Sequence, residues 1–278
     1  MKNNIILFYE KKNKEKITMI TCYDYSFASI LSETDIDSIL IGDSLGMVFQ
    51  GNEDTLSVTI DDMIYHTKAV KKGAKNKFII TDMPFLSYHV SIEDTIKNAG
   101  RIIKEGGAEA VKVEGGREII DKVKALIDAK IPVMGHLGLT PQSINLFGGY
   151  KVQAKALEDA KRIIEDAFLL EKAGVFAIVL ECIPEKIATL ITQKLKIATI
   201  GIGAGRFTDG QILVINDALG IFKNFTPKFV KKFSDLSQII KSGIINYINE
   251  IRNNKFPDQE HIFKIDDTIF EEIKKEFN

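Results

Sequence analysis

Four acidic residues and a histidine recur at equivalent places along this 278-residue chain. Asp43 follows the apolar run Ile39-Leu40-Ile41 and Gly42. Asp82 follows FIIT, Glu114 follows AVKV, His136 follows IPVMG and Glu181 follows FAIVL. Short apolar runs of this kind read as buried strands, and the carboxyl ends of such strands are where α/β enzymes keep their chemistry. A lone aspartate there reads equally as a turn former or a helix cap. Recurrence favours chemistry, because four acids in this place are a strained set of caps and Glu caps poorly. Carboxylates crowded at one face would raise one another's pKa unless a cation lay among them. Oxygen donors without cysteine select a hard ion, and Mg2+ held by a few carboxylates is the simplest choice.

These side chains need a scaffold that brings strand ends together. Strands are expected over residues 17–22, 38–41, 78–81, 110–113, 131–135, 176–180 and 198–202, with a weaker eighth over 211–215. Helical patterns alternate with them. Asp24 caps one through about residue 34, and Thr59 with Asp62 forms a capping-box pattern that opens another, ending near Gly73. Ser91 with Asp94 opens a third, expected to place Ile92, Ile96, Ala99 and Ile103 on one face and to stop at Gly106-Gly107. Further helices are expected over 154–173, closed by Gly174, and over 235–252. In the fourth strand the two-residue period sends Val111 and Val113 to one side and Lys112 and Glu114 to the other. In a barrel the valines would pack on helices and the charged pair would point into the mouth. The segment 136–153, rich in Gly, Asn and Gln, is too long for a plain connector. Eight strands alternating with helices in one chain favour a (β/α)8 barrel over a doubly wound sheet, and such barrels need roughly 250 residues. No internal repeat, low-complexity linker or composition shift marks a second domain.

Composition excludes several function classes. The 37 Lys+Arg against 38 Asp+Glu leave no basic footprint for nucleic acid. The basic run over 68–77 reads as a solvated helix end. No apolar stretch approaches the roughly 18 residues of a membrane span, and the amino-terminal apolar segment is too short for a secretory signal. Cys22 and Cys182 lie in neither a CxxC nor a Cys/His cluster. Buried, inert thiols in a reducing cytoplasm are the expectation. The run Gly201-Ile202-Gly203-Ala204-Gly205 departs from GxGxxG at Arg206. A tight turn admitting a close backbone approach is the preferred reading over a phosphate cradle.

The segments ITCYDYSFA, GDSLGMVFQG, TLSVTIDDMIYHT, DMPF, VKVEGG, GHLGLTPQSINLFGGYKVQ, LECIP and IGIGAGRFTDGQILV occur in this order over about residues 16–263. Together they closely resemble the ketopantoate hydroxymethyltransferase family. The resemblance implies a TIM barrel of the phosphoenolpyruvate mutase and isocitrate lyase group, making ketopantoate for pantothenate and coenzyme A from 3-methyl-2-oxobutanoate, methylenetetrahydrofolate and water. It implies Mg2+ at Asp43, Asp82 and Glu114, and oxo-acid contacts from Asp43, Ser44, Asp82 and Lys112. Glu181 would be the proton acceptor, taking the C3 proton of an oxo acid chelated to the ion, with Leu180 and Ile183 beside it to raise its pKa. Lys112 would neutralise the substrate carboxylate or steady the enolate, His136 would be a site-lining residue, and the assembly a homodecamer. Asn52 and Ser57 depart from the His and Pro of many members. A catalytic domain over 1–263 and an extension over 264–278, a short surface helix, complete the expectation. Two other functions compete. One is a Mg2+-dependent lyase or mutase acting on another 2-oxo acid, against which GHLGLTPQ and LECIP argue. The other is a catalytically silent oxo-acid-binding barrel, which would have lost the base or a metal carboxylate.

Overall fold

Within the strands, alternate residues take opposite sides, and the two sides build two cores. Ile39, Ile41, Ile79, Val111, Val113, Ile178 and Leu180 pack outward among the helices, whereas Leu40, Phe78, Ile80, Ala110, Met134, Val179 and Ile200 fill the centre. That is the side-chain period of a parallel sheet rolled into a barrel and covered by helices. In the computed structural model, which describes residues 4–149, 151–222 and 226–277, the strands close in chain order. They are β1 Ile17–Thr21, β2 Ser38–Ile41, β3 Phe78–Asp82, β4 Ala110–Glu114, β5 Val133–Gly138, β6 Ala177–Glu181, β7 Ala198–Ile202 and β8 Gly210–Leu213. All pairings are parallel. β8, the weakest strand in the sequence, closes the barrel by pairing Ile17 with Gly210 and Ile200 with Gly210.

The helix starts follow local chemistry. Asp24 accepts from Phe27 N to cap Tyr25–Ser32, and Thr59 and Asp62 form a reciprocal capping box on Ile60–Gly73. Ser91 caps Ile92–Arg101, and the chain continues through a wider turn, Ile102–Gly106, to left-handed Gly107. Ile92, at the start of the apolar face, is exposed. Thr95 takes the inward place, its hydroxyl donating to the carbonyls of Tyr88 and Ser91, with Ala99 and Ile102 buried behind it.

An unanticipated helix, Ile6–Lys11, plugs the amino-terminal end of the barrel. Phe8 is fully buried there, edge-on to Phe78 and Phe176 at centroid distances of 6.0 and 5.0 Å. Beside it, Lys12 pairs with Asp209 at 2.7 Å, both buried. At the other end of the chain, the helices Leu236–Arg252 and Asp267–Glu276 bury no residue. The first leaves Ile239, Ile240, Ile244, Ile245 and Tyr247 exposed. Among the described residues no helix is long and apolar enough to cross a membrane.

Candidate active site

The carboxyl ends of the strands surround a cavity of about 380 Å3, and Asp43, Ser44, Asp82, Lys112, Glu114, His136 and Glu181 all line it. Asp82, Glu114 and Glu181 are the last residues of β3, β4 and β6 rather than the first of the loops beyond, and His136 lies inside β5. The ladder runs past the expected ends: Met83 N donates to Lys112 O, and Gly115 N to His136 O. Being held in the ladder aims these side chains more firmly than a loop would. Glu181 is clamped further by Gly138, at φ +101. A Cβ there would lie 2.1 Å from the Glu181 carbonyl oxygen, so only glycine lets β5 turn so close over the end of β6.

The polar groups form one buried network. Lys112 Nζ lies 2.8 Å from Asp82 Oδ1 and 3.9 Å from Glu114 Oε1. His136 Nδ1 is 3.2 Å from Glu114 Oε1, and its Nε2 is 3.2 Å from Glu181 Oε2. Two residues that were not singled out in the sequence complete it. Gln142 donates from Nε2 to Asp43 Oδ2 at 2.8 Å and to Met83 O at 2.9 Å, while its backbone N–H donates to Glu114 Oε2 at 3.0 Å. Tyr88 contacts the Gln142 side-chain oxygen at 2.9 Å and the Glu114 carbonyl at 3.0 Å. Gln142 comes from the long 136–153 segment, in the short turn Pro141–Ser143. The unusual length of that segment was the available signal, and Tyr150 within it lies outside the described residues. On the other flank, the Tyr23 hydroxyl is 2.9 Å from Ser44 Oγ, and His66 Nδ1 meets the Tyr23 carbonyl at 2.6 Å.

Charge at this wall is unbalanced. Burial raises Asp43 well above the usual carboxylate range, and the neighbouring Glu114 and Asp82 charges add to it. Burial also raises Asp82, against the pull of Lys112. Glu114 goes the other way, because His136 and Lys112 outweigh its burial and lower it. Burial and the Lys112 charge oppose protonation of His136, yet Glu114 and Glu181 raise it to about 9. Lys112, despite its burial, is raised by Asp82, Glu114 and Asp43. Four carboxylates thus face two cations.

Asp82 Oδ1 is fully buried and faces the Lys112 ammonium at 2.8 Å. Asp43, Asp82 and Glu114 offer carboxylate oxygens on one buried wall of the cavity, a donor set without sulfur that fits a hard divalent cation. Among the described residues, no three His, Cys, Asp or Glu side chains are drawn together at metal-binding spacing. The acids instead stand around Lys112.

Some local expectations change. Leu180 and Ile183 turn outward into the helix-facing core, so the neighbour that meets Glu181 is His136. Cys22 is buried, but Cys182 is half-buried and lines the cavity at φ +49. Burial pushes both thiols up to about 12, which keeps them unreactive. Asn52 and Ser57, the departures from the family pattern, hydrogen-bond each other at 2.8 Å on the surface, away from the acids.

A closed parallel barrel with buried carboxylates at its strand ends defines a class. The solved structures that this fold resembles are of the phosphoenolpyruvate mutase and isocitrate lyase kind. The phosphoenolpyruvate phosphomutase of Streptomyces platensis subsp. rosaceus superposes with TM-score 0.61 at 12% identity, over 99% of this chain and 97% of that one. A 2,3-dimethylmalate lyase superposes with TM-score 0.60 at 14% identity, over 94% and 89%. Sequence narrows the class: the model of the ketopantoate hydroxymethyltransferase family matches residues 3–259. The 3-methyl-2-oxobutanoate hydroxymethyltransferase of Clostridium botulinum (strain Alaska E43 / Type E3) is 60% identical over 98% of this chain and 100% of its own length. That of Clostridioides difficile (strain 630) is 58% identical over the same shares. The chain belongs to the ketopantoate hydroxymethyltransferase family.

Proposed function

We propose that this chain transfers a hydroxymethyl group from methylenetetrahydrofolate to 3-methyl-2-oxobutanoate, with water as the third reactant. The product is ketopantoate, for pantothenate and coenzyme A synthesis. The observation that carries this reading is the convergence of Asp43, Ser44, Asp82, Lys112, Glu114, His136 and Glu181 on one cavity in a chain of this family. Asp43, Asp82 and Glu114 are the residues that would hold Mg2+, which when bound supplies Lewis acidity to the carbonyl of the oxo acid.

The remaining work falls to side chains. Lys112 is a fixed cation with N–H donors aimed at the wall, suited to the charge of the substrate carboxylate and of the enolate oxygen. Ser44, oriented by Tyr23, offers a further hydrogen bond to the acid. His136 holds its proton at neutral pH and so does Lys112, which leaves Glu181 as the group on that side able to accept one. Glu181 takes the C3 proton, and the electron pair left on C3 bonds to the one-carbon unit of the folate. Both carbon–nitrogen bonds that hold the one-carbon unit on the folate break, water supplies the hydroxyl group, the two folate nitrogens take up the C3 proton and the second proton of the water, and tetrahydrofolate leaves. His136, at 3.2 Å from Glu181 Oε2, holds the base in place.

The same reading includes a catalytic domain over 1–263 with a surface extension, and a homodecamer in the cytoplasm. The exposed apolar residues of Leu236–Arg252 suit burial against other copies. Free Cys22 and Cys182 suit a reducing compartment. The deciding assay is Mg2+-dependent consumption of 3-methyl-2-oxobutanoate with methylenetetrahydrofolate. Ketopantoate is the expected product, and its absence sinks the reading. A solution mass equal to the 31.1 kDa chain would refute the oligomer alone.

A further inference from the structure

The cavity is larger than a small oxo acid needs. With the acid seated against Asp82 and Lys112, part of the roughly 380 Å3 remains for the second substrate. The wall on the β8 side is built by the chain that follows that strand: Val214, Asp217, Phe222, Pro227, Lys228 and Phe229. It is mostly apolar, and Asp217 is its one acid.

Asp217 stands in the short helix Ile215–Ala218, half-buried. Among the described residues, no hydrogen-bond donor or ion-pair partner reaches its carboxylate; its backbone N–H and carbonyl are bonded to Val214 and Gly220. Burial pushes its pKa up to about 6, and only the charge of Lys232 acts against that. The Tyr23 phenol feels the charges of both Asp82 and Asp217, which ties this acid to the reacting end of the cavity. A carboxylate turned toward an apolar cavity without donors destabilises the fold, and such groups persist where a ligand supplies the donors.

Phe229 is seated against Gly203, at φ +65, where a Cβ would come within 2.7 Å of the ring. The glycine-rich turn after β7 therefore admits an aromatic side chain to the cavity wall. Phe222 adds a second ring, and the exposed Lys228 stands at the rim.

A reduced folate has features complementary to each of these. Its pyrimidine edge carries a ring N–H beside an exocyclic amine, which a carboxylate binds through two parallel hydrogen bonds. Its bicyclic ring suits aromatic walls, and its glutamate tail suits a rim lysine. We propose that Asp217 recognises the pterin of the folate, accepting from N3–H and the 2-amino group, with Phe222 and Phe229 flanking the ring and Lys228 meeting the tail. This assignment rests on the hydroxymethyltransferase reading above.

Calorimetric titration of the full chain with tetrahydrofolate tests it. Asp217→Ala should weaken tetrahydrofolate binding about ten- to hundred-fold, the usual cost of losing hydrogen bonds to a charged group. KM for methylenetetrahydrofolate should rise in step, while KM for the oxo acid stays near wild type. Asp217→Asn keeps the size and loses the charge, and should weaken folate binding as well. A 2-desamino analogue of tetrahydrofolate, which lacks one donor, should separate wild type from Asp217→Ala by less than tetrahydrofolate does. Equal tetrahydrofolate affinity in wild type and both variants overturns the assignment and leaves the reaction untouched. So does a loss of oxo-acid and folate binding together. A wild-type chain that makes no ketopantoate instead removes the hydroxymethyltransferase reading itself.

Discussion

The two sides of the cavity are built on opposite plans. Along β3 to β6 the polar groups are tied to one another: Asp82 to Lys112, Glu114 to His136 and Gln142, and His136 to Glu181. Beyond β8 the wall is mostly apolar, and among the described residues Asp217 has no such partner. The difference follows from what each side must do. A reacting centre needs charges fixed before the substrate arrives, since reorienting dipoles during the reaction raises the barrier. A recognition surface needs groups left unsatisfied until the right ligand satisfies them, because an unpaired polar group penalises ligands that cannot.

The largest expected effect tests the fixed side. With Mg2+ and without folate, the enzyme should exchange the C3 proton of 3-methyl-2-oxobutanoate for deuterium. Glu181→Gln keeps the shape and removes the proton acceptor, so exchange should fall by about two or more orders of magnitude. Mg2+ affinity should stay near wild type. Near-normal exchange in this variant would move the base elsewhere, and exchange lost together with metal binding would make Glu181 a ligand.

A smaller effect belongs to the ties within the network. Gln142→Leu deletes the donor to Asp43 and the acceptor for Tyr88 while preserving bulk. Outer-shell partners of this kind are typically worth about 10–100-fold in metal affinity or activity. Titration with Mg2+ should show a loss in that range, and unchanged affinity would mean that Asp43 is aimed by β2 and its turn alone.

The smallest effect is on stability, and it has the opposite sign. A carboxyl group whose folded pKa is raised to about 6 binds its proton more tightly in the folded state than in the unfolded chain, where about 3.9 is ordinary. Its penalty is absent below the unfolded value, develops as pH rises toward 6 and is complete above it. Asp217→Asn should therefore melt at a higher temperature than wild type at pH 7, with the gain shrinking toward pH 4. A gain that is flat with pH would mean that Asp217 is paired in the folded protein, and the contrast between the two walls would fail.

Much of the barrel was legible because its signals are local. The strands over 38–41 and 198–202 have the expected bounds, since a short β-rich run between polar residues has few other folds available. Caps at Asp24, Thr59 and Ser91 depend on residues three positions apart. The helix Ile6–Lys11 was not legible. Its single buried side chain, Phe8, matters only because the barrel end presents Phe78 and Phe176 for it to cover.

The site divides along the same line. By itself the sequence determined which strand ends carry acids, because the two-residue period and the strand order fix which side chains face the mouth. It could not reveal Gln142, whose value lies in reaching Asp43, 99 residues away in the chain. Nor could it show that Glu181 meets His136, since that contact depends on the register in which β5 pairs with β6. Asp217 was not singled out in the sequence. Closure of β8 onto β1 turned it toward the cavity, and only that closure decided which of its possible donors the folded chain leaves out of reach.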